Sequence, residues 1–204
     1  MTPILILAAG KSSRMRGADK LLEDISGQPL IVRQVRMALA TGHPVYVTLP
    51  ARDHPRAEAL TQHDVNTAQR VPVPDAADGL SASIRRGVAA LPEGSDGVLI
   101  VLGDLPDLQT SDLLTVLNAR QKAPDALIWR GADATGGQGH PLLCAAALFP
   151  QIATLKGDEG AKPLVRRAQA EGRLHVVPLP DARATTDLDT PEAWAAWRAA
   201  QRSS

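Results

Sequence analysis

"PILILAAGKSSRMRGADKLL", residues 3–22, runs from an unbroken apolar stretch into a loop that carries Lys11, Arg14, Arg16 and Lys20. No polar residue interrupts 3–9, the pattern of a strand buried on both faces of a parallel sheet. The run stops at Ala8-Ala9-Gly10, small residues that let a backbone come close to a ligand. Free N–H groups together with Arg14 and Lys20 suit phosphate oxygens, although a solvated basic loop has the same composition. Two familiar phosphate loops are excluded. "GKS" at 10–12 would need a further glycine at position 5 to make a Walker A motif, and Leu5 stands there. The glycines of the dinucleotide fingerprint are missing as well.

Outward from this stretch, apolar runs alternate with helical patterns. "PLIVRQVRMALATG" (29–42) reads as a helix with Gly42 as its stop, "VYVTL" (45–49) as a strand, 55–62 as a weak helix and "AQRVPV" (68–73) as a strand. "GLSASIRRGVAALPEG" places Leu80, Ile84, Val88 and Leu91 on one helical face despite Gly87. "GVLIVLGDLP" (97–106) is a second buried strand, followed by a helix capped by Thr110 or Ser111. "DALIWR" (125–130) is a strand and 131–139 a glycine-rich loop. A helix within 157–172, the strand "LHVVPL" and the helix "TPEAWAAWRAA" complete the chain. Such alternation predicts a three-layer, Rossmann-like α/β fold with a mostly parallel sheet, in one domain over residues 1–204.

The bulk composition narrows the classes of function. Lys plus Arg and Asp plus Glu number 22 each, so no global field draws the chain to nucleic acid or an anionic membrane. Aromatics make up 2%, too few for a base-stacking platform. The single cysteine, Cys144, allows no internal disulfide and suits a reducing cytoplasm. No leader-like segment or bilayer-length apolar run is present, so the expectation is a soluble cytoplasmic protein.

Carboxylates at element ends are the next signal. Asp104 follows a buried strand directly and is too near it to cap the next helix, which favours a metal role. Magnesium fits, since it is held by one or two carboxylates with phosphate oxygens and water around it. "TTDLDTPEAW" (185–194) offers Asp187 and Asp189 before a helix, where a capping role competes. Gly79, Ser81 and Ser83 bring N–H groups and hydroxyls to a helix start, suited to a base edge or phosphate as well as to capping by Ser81. Cys144 reads as core, and His43, His54, His63 and His175 show no metal-ligand spacing.

"LAAGKSSRMRGADKLL" resembles the signature L-A-[AG]-G-x-S-x-R-M-G-x-x-K of the molybdenum cofactor nucleotidyltransferases, the MocA-like cytidylyltransferases and MobA-like guanylyltransferases. Arg16 is an insertion between Met15 and Gly17 and moves Lys20 one step later. "GDLP", "DLDTPEAW", "DGLSASIRRGVAAL", "GGQGHPLLC" and "LKGDEGAKPLV" are similar to further family segments in matching order. The resemblance implies a triphosphate on Leu7, Ala8, Ala9 and Gly10, contacted by the catalytic Arg14 and Lys20, with Gly79, Ser81, Ser83 and Asp104 completing the nucleotide site. It implies Mg²⁺ on Asp104 and on Asp189, Asp187 being the weaker candidate, and His140 and Lys162 on the acceptor side.

Ala9, where guanylyltransferases of this branch usually carry glycine, together with "GLSAS" favours CTP as donor and molybdopterin as acceptor, with a molybdenum hydroxylase apo-enzyme as recipient. GTP as donor and another phosphorylated acceptor, such as methylerythritol phosphate, are the enzyme alternatives. A non-catalytic carrier of molybdenum cofactor is the alternative of another class.

Overall fold

The computed structural model describes residues 1–202. The apolar runs become β1 (Ile4–Leu7), β4 (Val45–Leu49) and β6 (Gly97–Leu102), which lie side by side and parallel at the centre of the sheet. β5 (Gln69–Pro72) adds to β4 at one edge. β7 (Ile128–Ala132), β8 (Gln138–Ala145) and β9 (Leu174–Pro178) extend the other side, giving the order β5-β4-β1-β6-β8-β7-β9. A two-residue ribbon, β2 (Asp24–Ile25) with β3 (Gln28–Pro29), stands apart.

Alternate residues of each central strand feed two cores. Ile4, Ile6, Val45, Val47, Leu99 and Val101 face one layer, which α1 (Leu30–Leu39), α2 (Pro55–Gln62), α4 (Thr110–Asn118) and α7 (Pro191–Arg202) cover. Leu5, Leu7, Val98 and Ile100 face the other, under α3 (Leu80–Ala89), α5 (Phe149–Ile152) and α6 (Lys162–Ala170). The expected three layers are present, which is why the central strands show no polar alternation. No helix among the described residues is long and apolar enough to cross a membrane.

Three local expectations are corrected. The glycine-rich stretch 131–139 is a loop only over 133–137: β7 runs to Ala132 and β8 starts at Gln138. β8 pairs antiparallel with both β6 and β7, so among the described residues it is the one strand of the seven-stranded sheet to break the parallel pattern. The α4 cap is Gln109, whose N–H donates to Asp112 Oδ2 at 2.9 Å, while Thr110 instead donates to the Met37 carbonyl at 2.9 Å and ties α4 to α1. On α3, Leu80 is exposed, and Ile84 packs inward beside Ser81, Ala82, Ser83 and Gly87. A Cβ on Gly87 would overlap the Leu5 side chain, so glycine there lets α3 lie close on β1.

Strand order sets the location of the site. From β1 the chain moves through β4 to β5, then returns to place β6 on the opposite side of β1. The loops leaving β1 and β6 diverge at this point, which opens a crevice at the carboxyl ends of the strands.

Candidate active site

The β1 loop is shaped by backbone turns and anchored by Met15, which is buried in the core. Ser12 and Arg16 take a left-handed conformation with φ of 52° each, followed by Gly17 at 95°. Arg16, the inserted residue, reaches out to Glu192 on the first turn of α7 at 2.5 Å. The small residues divide by role. Leu7 is a core residue whose carbonyl accepts the Gly103 N–H at 3.1 Å, joining the β1 and β6 loops. The Ala8 N–H donates to Thr48 Oγ1 at 3.1 Å and Ala9 packs with Val73 and Ala82, which leaves Gly10 and Lys11 exposed.

Residues far apart in sequence meet across the crevice. Lys20 Nζ donates to Asp104 Oδ2 and, at 2.6 Å, to Asp189 Oδ1. Arg14 pairs with Asp189 Oδ2 at 2.5 Å. The Leu188 N–H donates to the Asp104 carbonyl at 3.3 Å and holds the late segment against the β6 loop. Burial alone would lower the Lys20 pKa, but the charge of Asp104, helped by Asp189, overcomes it and raises the value. For Asp189 burial pushes upward, and Lys20 and Arg14 together pull the carboxyl below its usual range. Asp187 shifts up, from partial desolvation and then from the negative charges of Asp189 and Asp104. Asp189 is thus the carboxylate that faces the cations.

Asp104 Oδ1 is buried and has no hydrogen-bond partner. An orphaned carboxylate oxygen costs free energy unless a cation or donor reaches it. With Asp189 held on the same ammonium, the pair presents two hard oxygen donors around one point of positive charge. No group of three or more His, Cys, Asp or Glu side chains is placed to hold a metal among the described residues. A cation held here would therefore draw its other ligands from substrate and water, the habit of magnesium.

The remaining candidates are carried by α3, β8 and α6. Gly79, with φ of 99°, starts α3, and a Cβ there would overlap Asp158 and the Gly157 carbonyl. Ser81 is not the helix cap: its hydroxyl donates to the Lys156 carbonyl at 3.1 Å, so it binds the 157–159 turn to α3. Ser83, Gly79, Gly10, Lys11 and Asp158 line a cleft of about 320 Å³ beside the β1 loop. His140 sits at the start of β8, its Nδ1 3.3 Å from the Ile100 carbonyl. Burial lowers its pKa, favouring neutral imidazole. Lys162 is exposed at the first position of α6 and takes no part in the ion pairs of the carboxylate centre. Cys144 is core, and burial pushes its thiol up to about 12.

Two residues escaped the sequence reading. Thr48 closes the β1–β4 ladder at Ala8, and Arg56, on a helix with no motif, is buried beneath the loop. His54 also has a role, accepting the Arg56 N–H at 3.3 Å as the α2 cap.

The sequence model for the MobA-like NTP transferase domain matches residues 4–173. The chain is 32% identical to the purine catabolism protein PucB of Bacillus subtilis (strain 168), over 94% of each chain. In structure it is similar to the Rv0371c homolog from Mycobacterium sp. strain JC1, at 25% identity and a TM-score of 0.80 over 98% and 96% of the two chains. Rv0371c of Mycobacterium tuberculosis H37Rv, solved in complex with manganese, shares the fold at 23% identity, with a TM-score of 0.75 over 96% of each chain. With the family match covering most of the chain, and the fold shared throughout, this chain belongs to the MobA-like NTP transferase domain family and is a nucleotidyltransferase.

Proposed function

We propose that the protein transfers CMP from CTP to the phosphate of molybdopterin, with Mg²⁺ held by Asp104 and Asp189, and releases pyrophosphate. The observation that carries this reading is the meeting of Lys20, Arg14, Asp104 and Asp189 beside the unpartnered Asp104 Oδ1. Two anionic substrates must be brought together, so charge neutralisation is the main catalytic task. Asp104 and Asp189 would hold the magnesium ion, which would supply positive charge to the triphosphate.

The acceptor phosphate oxygen attacks the α-phosphorus in line. That new P–O bond forms as the bond from the α-phosphorus to the oxygen bridging it to the β-phosphate breaks, and the electron pair leaves on pyrophosphate. Arg14 and Lys20 take up the charge that grows on the leaving group. No protein nucleophile is needed. His140 and Lys162 act on the acceptor side, with neutral His140 offering its other ring nitrogen to the acceptor.

Ala9 supports CTP over GTP through the motif resemblance, standing where guanylyltransferases of this branch usually carry glycine. PucB is named for purine catabolism, and purine oxidation is chemistry of the xanthine dehydrogenase type. A molybdenum hydroxylase apo-enzyme in the cytoplasm is accordingly the recipient, and one domain over residues 1–204 carries out the reaction. A nucleotide panel tests this: purified protein, magnesium and molybdopterin with CTP, GTP, ATP or UTP, read as pyrophosphate release. CTP is expected to be fastest. Faster release with GTP would overturn the nucleotide assignment. Tight cofactor binding with no release from any nucleotide would make the protein a carrier.

A further inference from the structure

Helix α2 contributes a cation that touches the β1 loop at its beginning, middle and end. Arg56 is 1% exposed, an unusual fate for arginine unless it is fully paired. Its Nη1 donates to the Ala8 carbonyl at 2.6 Å, where the loop begins. Its Nη2 donates to Ser12 Oγ at 3.1 Å, in the middle. At the end, Asp19 takes both arms of the fork, from Nε to Oδ2 and from Nη2 to Oδ1, each at 2.7 Å. Asp19 Oδ1 accepts in turn from the Leu21 N–H at 3.0 Å and from Ser12 Oγ at 3.3 Å. Asp19 precedes Lys20, so this pairing fixes the backbone from which Lys20 reaches Asp104 and Asp189.

The loop needs such a support. Ser12 and Arg16 both hold a positive φ that side chains of their kind rarely adopt. Gly10 and Lys11 stand between two clefts, of about 320 and 370 Å³, so the wall they form has little packed material on either side. A planar guanidinium that binds a carboxylate through two parallel bonds sets orientation as well as distance, which an ammonium cannot reproduce.

We propose that Arg56 is a positioning residue for the triphosphate: bound to Ala8, Ser12 and Asp19, it holds the β1 loop in its nucleotide-binding shape without touching the nucleotide. This rests on the reading of that loop as the triphosphate site. Arg56→Lys keeps the charge and removes the fork. The Asp19→Asn/Arg56→Met double variant removes both charges, so no buried charge is left unpaired to unfold the protein.

Both are compared with wild type for magnesium–CTP affinity by calorimetry, for kcat and for KM of each substrate, and for the thermal midpoint. The expected result is a rise in nucleotide Kd and KM of roughly 10–100-fold in whichever variant folds, with acceptor KM unchanged. Unchanged nucleotide affinity in a folded variant overturns the proposal alone. So does an equal loss for both substrates that follows the thermal midpoint, because that is a stability effect. Wild-type protein that binds no nucleoside triphosphate takes the triphosphate reading and this proposal down together.

Discussion

The two sides of the sheet are held together in different ways. On the β5-β4-β1-β6 side every strand is parallel, and the loops at the carboxyl ends are joined by ion pairs between distant segments: Lys20 with Asp104 and Asp189, Arg14 with Asp189, Arg56 with Asp19. On the β8-β7-β9 side β8 runs against its neighbours, and hydrogen bonds to one aspartate shape the turn between β7 and β8. Asp133 accepts from Thr135 and the Gly137 N–H within the turn, and from Thr185 at 2.7 Å outside it. The first side concentrates charge where anions are to be bound. At the β7–β8 turn the donors to Asp133 are uncharged, and their contribution is shape.

The contrast can be broken most severely at Asp104. Asp104→Asn is expected to cut pyrophosphate release by at least about 10²-fold, on the scale of losing a preorganised electrostatic contact. The thermal midpoint should fall only modestly: Oδ1 has no hydrogen bond to lose, and although the ion pair between Oδ2 and Lys20 is weakened, Asp189 stays on the ammonium. Turnover at the wild-type level would remove this carboxylate from the chemistry.

Lys20→Met sharpens the same side. The ammonium bridges the carboxylates assigned to the divalent cation, so the two compete for one place. Turnover should fall, yet Mn²⁺ binding without nucleotide, followed by electron paramagnetic resonance, should tighten several-fold. Weaker or unchanged Mn²⁺ binding would mean that lysine and metal do not compete.

The smallest effect belongs to the other side. Bonds from Thr135, Thr185 and the Gly137 N–H pull the Asp133 carboxyl down from 3.8 to about 2. A depressed pKa adds stability above the unfolded value that is lost as pH falls through the folded one. The stability gap between wild type and Asp133→Asn, measured by denaturant unfolding, should therefore close between pH 3.8 and about 2. A gap that stays constant through that window would show that these bonds do not favour the charged form.

Much of the charged side was legible in the sequence. The central strands announce themselves through apolar runs, and Asp104 stands out because a carboxylate directly after a buried strand requires a partner; Asp189, where capping competed, was singled out by the family resemblance. The other side was harder to read. "QGHPLLCA" contains a proline and no β-branched residue, so β8 has little local strand signal; its pairing with β6 and β7 on either side makes it a strand. Ser81 looked like a cap because its position in "GLSAS" suits one, but the approach of the 157–159 turn claims its hydroxyl. Arg56 carried no signal, since an arginine in a polar helix reads as solvated until the loop lies over it.

Local order was settled by the chain's own pattern: where strands and helices form, which residues are small enough for a close turn, and which side chains bear charge. These depend on neighbours a few positions apart, and periodicity records them. Folding alone decided that residues 14, 20, 104 and 189 share one crevice, that β8 runs backwards, and that Arg56 lies beneath the β1 loop. Such contacts span tens of residues and more, and they arise from the strand order and the closing of two cores around it, which no local pattern encodes.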